Sequence, residues 1–82
     1  MRIVHFSVLG HLRLRVHFED ECSLAVEFDP DRLHGLSGPL RAPSEFAAAF
    51  LRDGTVAWPC GAQLDAQVAR VKADEVAVWR PG

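Results

Sequence analysis

Residues 12–28, LRLRVHFEDECSLAVEF, contain two runs in which apolar and polar side chains alternate. Even-numbered positions are apolar in the first run and apolar again in the second, on either side of the acidic residues 19–21. A period of two residues is typical of a strand that buries one face. The stretch therefore predicts an antiparallel hairpin, with strands at about residues 11–18 and 22–28.

The register of this hairpin follows from its pattern, because residues directly opposite each other share a face. A three-residue loop at residues 19–21 places Phe18 opposite Cys22 and Arg13 opposite Glu27, so both apolar sets are buried together. Such loops usually end in a left-handed residue that favours glycine, which predicts a strain of about 1 kcal/mol at Glu21. The predicted core side chains of the hairpin are Leu14, Val16, Phe18, Leu24, Val26 and Phe28.

The opposite face of the hairpin carries the residues most indicative of binding. Along one strand these are His11, Arg13, Arg15 and His17. Two arginines in line on an open sheet can bind carboxylates or phosphates. The alternative is that Glu27 and Asp29 neutralise them across the strands.

Further short elements are predicted before and after this hairpin in the sequence. Residues 2–9 are mostly apolar and end at Gly10, which predicts another strand, with its pairing left open. Asp29 followed by Pro30 predicts a short helix near residues 30–34 with Asp29 as its N-cap. Ser44 is the predicted N-cap of a short helix near residues 44–48. Residues 44–51 are also compatible with extended structure.

A second hairpin is predicted around Asp53 and Gly54, with strands at residues 49–52 and 55–58 and Leu51 opposite Val56. Trp58 is a predicted core anchor whose indole N–H reaches a backbone carbonyl. Asp65 caps a predicted helix at residues 65–72, whose apolar side includes Val68 and Val71. Within the tail, residues 72–82, the segment from Glu75 to Trp79 alternates weakly and is compatible with one more strand. Together these elements predict an α+β fold, with a small antiparallel sheet of two hairpins and an N-terminal strand, and short helices.

Length and composition predict one domain over residues 1–82. The chain is 49% hydrophobic and 24% charged, which is typical of a globular protein and lacks the long apolar run of a membrane span. A formal charge of −2 argues against nucleic-acid binding by bulk electrostatics. The N-terminus lacks the pattern of a secretory signal, so we expect a cytoplasmic protein.

Reactive side chains do not form a pattern that indicates catalysis. His5, His11 and His17 recur every six residues, about 20 Å along one strand, whereas the ligands of one metal ion lie within ~4 Å of each other. Cys60, in a turn, has no histidine or basic side chain next to it, and Cys22 belongs to the apolar face. The acidic pairs at residues 29 and 31 and at 74 and 75 are interpreted as helix caps or solvated charge. We predict no enzyme activity, no metal and no cofactor.

Trp79 and Arg80, near the C-terminus, have two interpretations. An exposed tryptophan beside an arginine is typical of an interface hot spot, which would make both residues part of a partner-binding surface. Alternatively, the tail folds onto its own sheet and covers Trp79. The sequence leaves both open.

Three segments together resemble a bacterial family catalogued as domain of unknown function 2442. They are FEDE at residues 18–21, Phe46, and TVAWPCGAQL at residues 55–64, and the resemblance covers about residues 3–71. The family's pattern is a Phe-x-Asp-Gly strand end, a Phe that starts a short helix, and Trp-Pro-Asn-Gly-Ala-Asp-Leu. Here Glu21, Cys60 and Gln63 replace the family's glycine, asparagine and aspartate, all at turn positions.

The resemblance implies a short α+β protein without agreed biochemistry. Family members often occur as the second partner of a two-gene pair that looks like a toxin–antitoxin module. We therefore expect a non-catalytic domain that binds a protein partner, such as a cognate toxin, and edge strands that suit homodimerisation. The alternative is an accessory protein that contacts nucleic acid through Arg13 and Arg15. A third hypothesis is a small enzyme that uses His17 or Cys60.

Overall fold

A four-stranded sheet, a separate hairpin and two α-helices make up the fold. The computed structural model describes residues 1–81, so Gly82, the last residue of the predicted domain and tail, lies outside the described residues. The strands are β1 (Ile3–Gly10), β2 (Arg13–Phe18), β3 (Ser23–Glu27), β4 (Phe50–Arg52), β5 (Thr55–Ala57) and β6 (Val78–Trp79), and the α-helices are α1 (Pro43–Ala47) and α2 (Ala66–Glu75). Within residues 1–81, no helix combines the length and apolar character that a membrane crossing requires.

The β2–β3 hairpin has the predicted register. Arg13 lies opposite Glu27, and the pairing continues to His17 opposite Ser23. The Phe18 N–H donates to the Cys22 carbonyl at 2.8 Å, which closes the three-residue loop. Glu21 has a φ of 72°, so the predicted left-handed position is confirmed.

β1 lies beside β2 and is antiparallel to it. The two strands are joined by a two-residue turn at His11 and Leu12, and Leu12 has a φ of 63°. The register shifts twice along β1, so Val4 and Leu9 are β-bulges between regular segments. At each bulge the residues that face the core change between odd and even numbers. This change explains why apolar and polar side chains alternate irregularly along β1.

The prediction of one antiparallel sheet made from both hairpins is wrong. The strand order of the larger sheet is β1-β2-β3-β6, and β6 is parallel to β3, so this sheet is mixed. α2 packs on β3 and returns the chain to the free edge of that strand, where β6 pairs. The β4–β5 hairpin, with the predicted pair Leu51 and Val56, forms its own two-stranded sheet. Its turn contacts the start of β1, where the Ile3 N–H donates to the Gly54 carbonyl at 2.8 Å.

Both predicted α-helices are present, and the predicted N-cap of one of them is wrong. α1 begins at Pro43 with Ala42 as its N-cap, so the prediction that Ser44 is the N-cap is wrong. Proline favours the first helical position because its fixed φ suits the helix and its missing N–H has no intrahelical partner there. Asp65 caps α2 as predicted, accepting from the N–H groups of Gln67 and Val68, and the helix continues to Glu75.

Two short 3-10 helices, Pro30–Arg32 and Gly35–Arg41, cover the end of the core between β3 and α1. The first was predicted, and the Asp29 carboxylate accepts from the Asp31 N–H at 2.9 Å as its cap. The second was not predicted, because its glycines and Pro39 are poor signals for a helix. Leu33 and Leu40 from this region are buried in the core.

α2 packs against the sheet through alanines, so the prediction that Val68 and Val71 form its apolar side is wrong. Ala66 and Ala69 are buried, whereas Val68 and Val71 are 43% and 57% exposed. The side of α2 that packs on the sheet therefore carries small side chains, and its larger apolar side chains face solvent.

An aromatic cluster fills the core between the sheet and the β4–β5 hairpin. The rings of Phe28, Phe46 and Trp58 have centroids 5.8–5.9 Å apart. The Trp58 indole N–H donates to the Phe46 carbonyl at 2.9 Å, as predicted. Phe28 is half-buried in this cluster, and the remaining predicted core anchors are buried.

Candidate functional site

The face of the four-stranded sheet opposite the core is the candidate site, and we call it the outer face. At its cross-strand-paired positions the side chains are polar apart from one alanine and one valine, while the helices and the aromatic cluster lie on the other side of the sheet. The cross-strand pairing assigns to it His5, Ser7, Arg13, Arg15, His17, Ser23, Ala25, Glu27 and Val78.

The two arginines at the centre of the outer face are not neutralised by neighbouring strands. The Glu27 carboxylate lies 3.4 Å from the guanidinium of Arg80, and Asp29 pairs with Arg32 at 3.9 Å. The expectation that these two carboxylates neutralise Arg13 and Arg15 is therefore not met. Among residues 1–81, neither arginine forms an ion pair.

Arg15 is oriented by a neighbouring hydroxyl. Its Nη1 donates to the Ser23 Oγ across the hairpin at 3.3 Å. This contact directs the guanidinium toward β3, where Ser23 lies opposite His17. Arg13 is exposed and Arg15 is half-buried. The guanidinium of Arg13 therefore faces solvent, while that of Arg15 is held by its hydrogen bond to Ser23.

Two histidines meet on the outer face. His5 on β1 lies directly opposite His17 on β2, and the ring centroids are 5.5 Å apart. The distance argument drawn from the sequence is therefore wrong for this pair, because the residues lie on neighbouring strands and not along one strand. No third potential ligand joins them: among residues 1–81, no group of three His, Cys, Asp or Glu residues could hold a metal ion.

His11, predicted to belong with the arginines, lies elsewhere. It occupies the β1–β2 turn, and its ring contacts the edge of Phe46 with centroids 6.0 Å apart. His11 lies in the turn beside the left-handed Leu12 and not in a strand. Its odd residue number therefore does not place its side chain on the outer face. His11 is therefore separated from Arg13, Arg15 and His17.

Trp79 and Arg80 divide between the two sides of the sheet. Trp79 pairs with Val26 and packs, half-buried, against the core. Of its two interpretations, the structure therefore shows the tail folded onto its own sheet. Arg80 is exposed and pairs with Glu27 at the rim of the outer face.

Sequence reasoning missed three residues of the outer face: His5, Ser7 and Ser23. His5 and Ser7 belong to β1, and its apolar pattern does not specify which strand β1 pairs with. Gly10 is the sequence signal for their position. A glycine directly before a two-residue turn indicates a tight hairpin, and a tight hairpin places the preceding strand antiparallel to β2. Ser23 lay on the predicted polar face, and only the Arg15 contact gives it a role.

Other reactive side chains are dispersed or engaged in structure. Both cysteines are free, half-buried and packed against the core. The carboxylates interpreted as caps or solvated charge include Asp74, which pairs with Arg70 at 2.8 Å, and Glu75, which pairs with Lys72 at 3.3 Å. These arrangements stabilise helices and loops and do not converge on one point.

Chemically, the outer face is a set of hydrogen-bond donors with a net positive charge. Guanidinium groups donate only, and serine hydroxyls can donate beside them. Such a set suits carboxylate or phosphate oxygens. The structure thus shows a small α+β domain with an open, basic sheet face.

Comparisons of the chain with protein-family models, with curated proteins and with solved structures find no match. The family resemblance drawn from residues 18–21, Phe46 and residues 55–64 stays a prediction.

Proposed function

We propose that this protein is a non-catalytic binding domain that recognises an acidic surface of a protein partner through its outer face. The observation that carries the proposal is the pair Arg13 and Arg15, which lies on an open sheet face without carboxylate partners among residues 1–81. The whole chain has a formal charge of −2, whereas the surface around these two arginines is positive. A partner with carboxylates at matching spacing would supply the missing charge.

The spacing of the arginines allows each of them to bind a separate carboxylate. Alternate residues on one strand face are about 6.6 Å apart, so two guanidinium groups can engage two carboxylates separately. An exposed ion pair contributes only about 0–1 kcal/mol. The arginines therefore steer and orient the partner, while the serines and histidines beside them supply further hydrogen bonds.

The family resemblance supports the kind of partner. It implies a role as the second member of a bacterial two-gene pair, in which an antitoxin-like or regulatory protein restrains its cognate protein. Such a pair would act in the cytoplasm. The proposed partner is accordingly the product of the adjacent gene.

Co-expression with the adjacent gene product, followed by affinity capture, tests this proposal. The Arg13→Glu, Arg15→Glu double variant should lose the co-purifying protein. The matched control is the Arg41→Glu, Arg52→Glu double variant, which makes the same change in net charge at exposed positions away from the outer face. Retention of the partner by the first variant, or equal loss by both, would refute the role of the outer face.

The same donors favour one second candidate, contact with nucleic acid. Phosphate oxygens accept from guanidinium groups as carboxylates do, and binding by counterion release weakens steeply as salt rises. A mobility shift that falls with salt and disappears in the Arg13→Glu, Arg15→Glu variant would favour this alternative. No shift at low salt, together with a captured protein, favours the proposed function.

A further inference from the structure

Within the described chain, the edge of β1 that faces away from β2 is unpaired between the two bulges, whereas at its start the Ile3 N–H donates to the Gly54 carbonyl of the β4–β5 turn. β1 has eight residues and lies at one end of the strand order β1-β2-β3-β6, whereas β6 at the other end has two. Exposed sheet edges are usually protected by charged residues, proline, β-bulges or a covering loop. β1 has bulges at Val4 and Leu9, so its unprotected part is residues 5–8. β1 carries no proline, lysine, arginine, aspartate or glutamate, and its Val4, Val8 and Leu9 are 54%, 41% and 49% exposed.

The direction of the backbone groups along this edge follows from the hairpin. The Phe18 N–H donates to Cys22, and the Leu12 carbonyl accepts from Phe28. Even-numbered residues of β2 therefore bond to β3, and its odd-numbered residues bond to β1. Since Ser7 lies opposite Arg15, Ser7 faces β2, and the N–H and C=O groups of Phe6 and Val8 point to the open edge.

We propose that β1 pairs with β1 of a second copy of this chain, antiparallel, with Ser7 on the two-fold axis. In this register Phe6 lies opposite Val8 of the second copy, and the reverse pair follows by symmetry. Each pair exchanges two backbone hydrogen bonds, so the edge-facing N–H and C=O groups of Phe6 and Val8 all find partners in both chains. The bulges at Val4 and Leu9 confine the contact to the regular segment between them.

Side chains on both faces fit this register. On the core side Phe6, already packed against the core, would cover the exposed Val8 of the second copy. On the outer face, Arg15 and its symmetry mate would be three strand spacings apart, about 14 Å. This separation exceeds the screening length of about 8 Å at physiological salt, so the arginines do not oppose pairing. A second copy is favoured over a charged foreign strand because β1 offers no charge for such a strand to recognise.

A pair of matched valine substitutions tests the interface. Val8→Lys places a charge on the edge and should convert the dimer to a 9.1 kDa monomer in light scattering or analytical ultracentrifugation. Val68→Lys is the control, since Val68 is equally exposed, at 43%, but lies on α2. A wild-type protein that is monomeric at millimolar concentration, or equal dissociation by both variants, would overturn the proposal.

A cysteine scan tests the register independently of folding effects at Val8. Residues in a non-hydrogen-bonded antiparallel pair have Cα atoms about 4.5 Å apart, a distance compatible with a disulfide. Ser7→Cys should therefore form a covalent dimer under mild oxidation. Ser23→Cys, on the same face but on an inner strand, and the wild-type protein with its two native thiols should remain uncrosslinked. Cross-linking of Ser23→Cys as fast as Ser7→Cys would exclude the two-fold register. Because these readouts need no partner protein, they can fail while the proposed function stands.

Discussion

At the scale of single residues, three non-glycine positions in the described chain have left-handed backbone: Leu12, Glu21 and Asp53, with φ of 63°, 72° and 51°. Asp53 precedes Gly54 in a hairpin turn, where a short polar side chain tolerates this conformation. Leu12 is buried, and burying a leucine side chain contributes about 1.5–3 kcal/mol, which offsets a strain of about 1–2 kcal/mol. Glu21 is exposed and has no such compensation.

Glu21→Gly should therefore stabilise the protein. Glycine adopts positive φ without a Cβ clash, so we expect a gain of up to about 1 kcal/mol, or a rise in Tm of about 4–8 °C for a domain of this size. Leu12→Gly relieves similar backbone strain but removes a buried side chain, so its Tm should fall. Thermal unfolding followed by circular dichroism measures both. A lower Tm for Glu21→Gly would show that its side chain makes a compensating interaction.

At the scale of elements, α2 buries its alanines and exposes its valines, so side-chain hydrophobicity alone does not decide which side of the helix packs. Ala69 is fully buried against the strands, while the larger Val68 next to it faces solvent. A valine in place of Ala69 would need space that the close helix–sheet contact does not provide. The exposed valines contribute little packing, and β-branched residues are poorer helix formers than alanine.

Val68→Ala and Ala69→Val should consequently have opposite effects. The first should raise stability by up to about 0.7 kcal/mol through helix propensity, and the second should lower it by about 1–3 kcal/mol through overpacking. Urea unfolding of both variants gives the two free energies. If Val68→Ala were the more destabilising change, α2 would not pack on the sheet through Ala69.

At the scale of the whole molecule, one ion-pair network joins α2 to the β2–β3 loop across 50 residues of sequence. Arg70 Nη2 lies 2.8 Å from Asp20, and Nη1 lies 2.8 Å from Asp74 on the same helix. The guanidinium also lies over the Phe18 ring, 6.0 Å from its centroid. The Arg70 hydrogen bond holds the pKa of Asp20 below its usual range, and both carboxylates raise that of Arg70.

This network makes a contribution to stability that depends on pH. Because the pKa of Asp20 is lower in the folded state, its stabilisation is complete above the ordinary aspartate pKa of about 3.9 and is lost as pH falls through the lower folded value. Wild type should have a higher Tm than Asp20→Asn at pH 7, and the difference should disappear in strong acid. Glu19→Gln is the control, because Glu19 forms no ion pair among residues 1–81. A difference for Asp20→Asn that persists unchanged in acid would refute the ionic contribution.

Local pattern alone was sufficient for the elements whose partners are close in sequence. The β2–β3 register, the left-handed Glu21, the Asp53 turn and the Asp65 cap follow from alternation and turn chemistry within about seventeen residues. The α+β class followed from the same local signals. Arg13, Arg15 and His17 could be assigned to one face for this reason.

Only the tertiary structure decided the contacts made between distant segments. It paired β6 parallel to β3, set β4 and β5 apart, turned the alanines of α2 inward, and placed His5 beside His17. The first three involve residues far apart in the chain, and His5 meets His17 only because a bulge shifts the register of β1; a local period carries no information about either. The ion pairing of the outer face was likewise decided there, because Glu27, although it lies opposite Arg13, pairs with Arg80 of the tail.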